Sequence, residues 1–435
     1  MGILFWLRNS FFWTMDALKG SSVKKDFLQI ETCFKLSSFE ELQQHNKPIL
    51  KHLLNTAVSE STFYKKYAGY KSLRDFPVVD KHIIKKNFDE ISISDKTKEK
   101  LFTVSTSGST GTPFKIFQSK RKKTRNTADT LYFANSAGYF LGHQLLYLRL
   151  WSAYYRKSNF LAKLQNIRQL DVQDLDEPYI EKLIEELKKD KSIKGWLGYP
   201  SGFEKICNYL DKTGSGQLDC NIQSIIAMSE GLSHYVKSKM EYYFQAPVVS
   251  RYSNVENGII AQQKPGEKYF TINWASYHVE ILDINKDIPV KTGEIGRIVV
   301  TDLYNTATPM IRYDTGDLGS FSFLKDQHNK FPMLSSVQGR KMDVLLDTNG
   351  NLVSPFKMYN YLHDYPELDQ VQFIQSGKNR YTIKINKKGS FKRENEFVYL
   401  FKKDMGKDAV ISIEYVDEIP LLKSGKRKLT VNLCQ

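Results

Sequence analysis

The chain has 435 residues, of which 41% are hydrophobic and 13% aromatic, with a net charge of +15. That length exceeds one simple core and predicts two or three domains, and the apolar content excludes a disordered chain. Cys33, Cys207, Cys220 and Cys434 lack C-x-x-C spacing, which argues against a zinc site or disulfide framework and fits a reducing, cytoplasmic setting.

The first stretch, "MGILFWLRNSFFWTMDAL", reads as an amphipathic helix. Arg8 and Asn9 interrupt it, so it is too short to span a bilayer. It lacks the basic start and small-residue cleavage site of a signal peptide, and Trp6 stands where myristoylation needs serine or threonine. Two uses stay open: docking onto the protein's own core, which we favour, and peripheral contact with a membrane.

Residues 38–70 carry apolar side chains at helical spacing. "LFTVST" and "FKIFQS" read as strands on either side of "TSGSTGTP". Small residues there let backbone N–H groups turn toward an anion, as in a phosphate cradle. The spacing does not match the kinase-type rule G-x-x-x-x-G-K-[ST], because Pro113 stands five residues after Gly108. An unusual nucleotide loop and an ordinary turn both fit this stretch on its own.

"RKKTRNTADTLYFANSAGYF" predicts a helix and "QLLYLRLW" a buried strand. The lysine-rich runs, "KRKK" among them, read chiefly as solvated surface, although the positive balance also suits anionic ligands. No nucleic-acid motif accompanies them, so no nucleic-acid partner is expected. In "GYPSGFEKICNYL", Ser201 with Glu204 reads as a capping box rather than a nucleophile, since G-x-S-x-G is absent. "IQSIIAM" is a strand running into "SEGLS", Ser233 caps the next helix, and "PVVSRY" is a further strand. Strands and turns fill residues 270–323.

The predicted fold is α/β. A large multi-subdomain body covers residues 1–338, and a small mobile α+β domain covers 339–435, with helices near 355–365 and 391–405.

Five stretches occur in order: "TSGSTGTP", "SEGLS", "YSNVE", "YDTGD" followed by "GR", and "SGK". Together with "FPVVDKHIIKKNFDEI", they resemble the adenylate-forming superfamily of acyl-CoA synthetases. Within it the likeness is to the phenylacetate–CoA ligase group, including members associated with capsular polysaccharide synthesis.

The resemblance implies attack by a carboxylate on the α-phosphorus of ATP, release of pyrophosphate, and transfer of the acyl group to coenzyme A. It places Thr106, Ser107, Gly108, Ser109, Thr110, Gly111 and Thr112 on the phosphates, with Glu230 and Gly231 in the adenine pocket. It gives Tyr252 to adenine, Glu256 to Mg2+, Asp317 to the ribose hydroxyls, and Arg340 to a ribose or phosphate contact at the start of a hinge. Lys426 becomes the catalytic lysine.

The chain departs from the family pattern at three places. Thr112 and Phe114 flank Pro113 where a lysine is common, Val255 replaces a hydroxyl, and Met342 stands where the hinge often has an acid. Trp151, Tyr154, Tyr155 and Tyr199 are candidates for an aromatic acyl pocket.

Three functions follow: an acid–CoA ligase, an adenylate-forming enzyme that passes AMP or an acyl group to a glycan or carrier, and a non-catalytic basic protein of the same fold. A small carboxylic acid is the expected substrate of the first.

Overall fold

The computed structural model describes residues 3–93, 100–106, 114–151, 156–322, 331–340, 344–353, 358, 362, 364–365, 367–387, 389–420 and 429–434. Three helices lead the chain: α1 (Ile3–Leu18), α2 (Ser22–Lys35) and α3 (Phe39–Glu60). The buried Asp16 carboxylate accepts the Val23 and Lys24 amides at 3.0 and 2.9 Å and so starts α2. Ser38 accepts the Glu41 amide and starts α3. The helix expected over residues 38–70 stops at Glu60, because Ser61 turns to extended backbone and short 3-10 turns follow.

Short helices α4 (Lys81–Lys86) and α5 (Phe88–Ile91) precede a hairpin of β1 (Phe102–Thr106) and β2 (Phe114–Gln118). These are the two strands expected around the glycine loop, paired antiparallel from Phe102↔Gln118 to Thr106↔Phe114. The helix α6 (Lys120–Ser136) follows.

The body then alternates strand and helix: β3 (Gln144–Arg149), α7 (Asn159–Leu164), β4 (Ile167–Asp171), α8 (Glu177–Lys189), β5 (Lys194–Gly198), α9 (Pro200–Lys212), β6 (Ile222–Met228), α10 (His234–Phe244) and β7 (Val248–Asn254). Strands β8 (Gly258–Gln263), β9 (Phe270–Ile272), β10 (Tyr277–Leu282), β11 (Gly296–Asp302), β12 (Tyr313–Ser322) and β13 (Met333–Arg340) complete it. All but the β1–β2 hairpin join one sheet in the order β10-β11-β12-β13-β9-β8-β7-β6-β5-β3-β4. The half from β7 to β4 is parallel and the other half antiparallel.

Helices α8, α9 and α10 bury Leu183, Phe203, Ile206 and Met240 on the parallel half, together with Trp196 of β5. A separate core beneath the antiparallel half joins Phe27 of α2 to Ile260, Trp274 and Val300.

A smaller sheet forms the C-terminal α/β domain. After β14 (Leu345–Leu346) and β15 (Leu352–Val353) come β16 (Leu368–Gly377), β17 (Arg380–Lys387), α11 (Glu394–Met405), β18 (Val410–Tyr415) and β19 (Thr430–Asn432). The order is β18-β17-β16-β19, with Phe401 of α11 stacked on Phe373 at 4.9 Å. The helix expected near 355–365 falls mostly outside the described residues; the one near 391–405 is α11.

Two local readings are corrected. The basic run opening α6 is not all solvated: Lys122 is fully buried 2.6 Å from Asp302, and its ammonium donates to the Tyr277 hydroxyl at 3.1 Å. Arg125 is also buried, donating to Ser276 at 2.7 Å and lying 4.3 Å from the centre of the Tyr304 ring. Here charge serves to clamp α6 between α2 and β10. Ser201 and Glu204 do not form a capping box. Pro200 begins α9 with Tyr199 as N-cap, Ser201 is already inside the first turn, and its N–H donates to Glu230 at 2.9 Å. Ser233 does cap α10, accepting the Val236 amide at 3.1 Å.

Candidate active site

The C-terminal ends of parallel strands collect the site, as is usual where helices cover an open α/β sheet. Met228 at the end of β6 lies beside Arg251 of β7. Glu230 follows β6 two residues past Met228, and Tyr252 follows Arg251 on β7, so two sequence-predicted residues lie at the same edge of the sheet. Glu230 is half-buried and holds the first turn of α9, whereas Gly231 is exposed.

Tyr252 is buried, and its hydroxyl donates to Asp317 at 2.8 Å and contacts Thr315 at 3.1 Å. Asp317 belongs to β12, four strands away in the sheet order. The turn within β12 carries it there: Gly316 adopts φ 78, its N–H donates to Asp314, and the Asp317 N–H donates to Thr315. Burial and the neighbouring Asp317 carboxylate push the Tyr252 phenol well above its ordinary value, keeping it a donor. The β12–β13 ladder sets Asp317 opposite Arg340, as the pairing of "YDTGD" with "GR" suggests.

Glu256 follows β7 and is 4% exposed. The Tyr313 hydroxyl donates to its Oε1 at 2.9 Å, and Lys81 Nζ lies 3.5 Å from the same oxygen. Gln118 of β2 holds the Glu256 backbone carbonyl at 2.8 Å. Burial, then the Glu256 charge, raise the Tyr313 phenol well above its usual range.

Lys81 is the residue that sequence reasoning missed. A parallel bridge between Val79 and Tyr313 brings the start of α4 against β12, and Asp80 caps α4, so Lys81 points at Glu256. The ammonium also sits 5.2 Å from the Phe114 ring centre, and Phe114 stacks on Tyr313. Phe114 pairs with Thr106 across the hairpin. The two ends of the glycine loop are therefore anchored beside Glu256, although Ser107, Gly108, Ser109, Thr110, Gly111 and Thr112 lie outside the described residues, as does the Thr106 side chain.

Among the other predicted residues, Lys426 and 341–343 lie outside the described residues, and only the backbone of Arg340 is described. Tyr154 and Tyr155 also lie outside them. Trp151 and Tyr199 are buried; the Trp151 indole N–H donates to the Leu170 carbonyl at 3.0 Å, which ties it to the sheet edge. Val255 is half-exposed beside Glu256.

Among the described residues there is no cluster of three metal-ligating side chains. A hard divalent cation that takes most of its oxygens from phosphates and water needs only one or two protein carboxylates, and Glu256 fits that donor set.

Residues 345–433 match the family model of the CapK C-terminal domain. The fold is similar to that of 2-hydroxyisobutyryl-CoA ligase in its postadenylation state with R3-HIB-AMP, at a TM-score of 0.70 and 16% identity, covering 91% of this chain and 90% of that one. The chain has the adenylate-forming ligase fold. The likeness extends to ATP-bound MatB from Rhodopseudomonas palustris, at a TM-score of 0.55 and 16% identity over 77% of this chain and 68% of that one. Protein CapK of Staphylococcus aureus is 24% identical over 386 residues, or 83% of this chain and 80% of its own. An α/β body followed by a small α/β domain is thus the arrangement expected from the ordered motifs.

Proposed function

We propose that this protein activates a small carboxylic acid with ATP and passes the acyl group to coenzyme A. The acid's oxygen forms a bond to the α-phosphorus of ATP while the bond to pyrophosphate breaks, leaving an acyl-adenylate. The sulfur of coenzyme A then bonds to the acyl carbon, AMP departs, and the thiol proton passes to solvent. The chain's work is to hold the groups in line and to meet developing charge.

The observation that carries this reading is the convergence of Tyr252–Asp317 with Tyr313–Glu256–Lys81 at the base of the glycine loop. Asp317, its phenol donor in place, keeps acceptor capacity for ribose hydroxyls. Mg2+ on Glu256 would neutralise phosphate charge, and the loop 106–112 would receive the β- and γ-phosphates. The similarity to an ATP-bound ligase and to a CoA ligase in its postadenylation state supports both substrates.

The small domain, taken from residue 339 onward, would bring Lys426 to the α-phosphate and then swing away about Arg340–Asp343. A cytoplasmic setting agrees with four free cysteines.

A second reading has its own observations. The C-terminal match is to CapK rather than to a CoA ligase, and Val255 removes a hydroxyl donor from the Glu256 loop. In that reading AMP or the acyl group is passed to a glycan or carrier, and the other half of the adenylate leaves. Pyrophosphate exchange across a panel of carboxylic acids, followed by thiol capture with coenzyme A, tests both. Acid-dependent exchange with thioester formation supports the ligase; exchange without it supports the second acceptor; no exchange with any acid contradicts both.

A further inference from the structure

We infer that α1 and α7 together form a docking surface for an anionic lipid bilayer. The inference is independent of the reaction catalysed and starts from how α1 is used on both sides. One face is committed to the body. Phe5 lies 4.7 Å from the His143 ring, Asn9 donates to the Leu141 carbonyl at 3.0 Å, Trp13 packs edge-on to Phe27, and Asp16 caps α2. Gly142, at φ 109, makes the close approach possible: a Cβ there would lie 2.7 Å from the Phe5 carbonyl. The expected docking onto the core is therefore real, and it accounts for half of the helix.

The opposite face is also apolar. Leu4, Leu7, Phe11 and Leu18 fall at i, i+3, i+7 and i+14 and are exposed, Phe11 at 59%, and Trp6 on the flank of the helix is 66% exposed. A soluble helix of this kind normally turns polar residues outward. α7 carries a second apolar surface, where Phe160 is 76% exposed and Leu161 and Leu164 are also exposed. Gly142 links the two elements: it lies against Phe5 of α1, and its carbonyl accepts from Asn166, two residues after α7, at 3.2 Å.

Charge selects the occupant. Residues 3–25 hold four basic side chains and one acid, Asp16, which is buried and used as a cap. Residues 138–168 hold five basic side chains and no acid. Lys19, just past the end of α1, and Lys163, between Phe160 and Leu164 on α7, are exposed, while Lys24 lies over the Trp13 ring at 4.9 Å. Arg156 and Arg168 are paired with Asp171 and Glu186, so Lys157 and Lys163 carry the basic excess of that segment. An aromatic and leucine face with a basic excess beside it matches a headgroup layer carrying negative charge, with rings at the acyl boundary. No helix among the described residues is long and apolar enough to cross a membrane, so α1 would lie in the plane.

The test is flotation of the full chain with phosphatidylglycerol–phosphatidylcholine vesicles and with phosphatidylcholine alone. The protein should float with the anionic vesicles and bind the neutral ones at least about tenfold more weakly. Leu7→Glu/Phe11→Glu should reduce binding by roughly tenfold or more, because it withdraws two exposed apolar groups from the bilayer boundary. Lys19→Glu/Lys163→Glu changes only exposed charges and should weaken anionic binding by a similar factor at an unchanged melting temperature. No flotation of the unmutated chain overturns the inference, as does flotation unaffected by either double variant. A dimer in light scattering that Leu7→Glu/Phe11→Glu dissolves also overturns it, assigning the face to a second copy of the chain.

Discussion

Two tyrosines and two carboxylates define the candidate site at the level of single residues. Tyr252 donates to Asp317 and Tyr313 to Glu256, and each phenol is held protonated by burial and by its partner's charge. Asp317→Ala should weaken ATP binding by about 1.5–3 kcal/mol, the range for hydrogen bonds to a charged group, as read by calorimetry. Unchanged affinity would remove Asp317 from the ribose. A phenol whose native pKa lies above its ordinary 10 gives stability that is whole below that pH and fades as the pH climbs through the native value. The denaturation midpoint should accordingly fall on raising the pH past 10, and Tyr313→Phe should flatten that fall. Tyr252, Glu256 and Asp317 were legible in the sequence because each sits in a short motif. Lys81 was not, because it is brought to Glu256 by the Val79–Tyr313 bridge, a contact between segments more than two hundred positions apart.

At the scale of elements, α6 shows why charge runs mislead. Its basic residues look like solvent-facing helix, yet Lys122 and Arg125 face Asp302, Tyr277, Ser276 and Tyr304 in a closed interior. A buried ion pair contributes little net stability against apolar packing but is costly to break from one side. Lys122→Ala should therefore cost roughly 3–5 kcal/mol in urea unfolding, whereas Lys122→Met with Asp302→Leu should recover most of that loss. If Lys122→Ala unfolds like the unmutated chain, the clamp is incidental. The strands β1, β2, β6 and β7 were readable from runs of β-branched and aromatic residues, β3 from its continuous apolar run, and α10 from its Ser233 cap. The start of α9 was not, because its cap comes from Glu230, carried on the loop after another strand. The order of the eleven-stranded sheet was also beyond local pattern, since β13 enters between β12 and β9 by long-range pairing.

For the whole molecule, the reading joins a body that binds the nucleotide to a small domain that bears Lys426. One fixed arrangement cannot serve both adenylation and thiol attack, so a hinge of a few residues would have to absorb the change. The central claim, acid-dependent adenylation at a site spanning both domains, is tested most directly by measuring the two half-reactions side by side in the unmutated chain and in Lys426→Ala. The account predicts acid-dependent pyrophosphate exchange by the unmutated protein, a drop of roughly 10²–10³ in the variant, as for loss of one preorganised donor, and near-normal consumption of supplied acyl-adenylate by coenzyme A. Undiminished exchange in the variant, or an equal loss in both half-reactions, would contradict it.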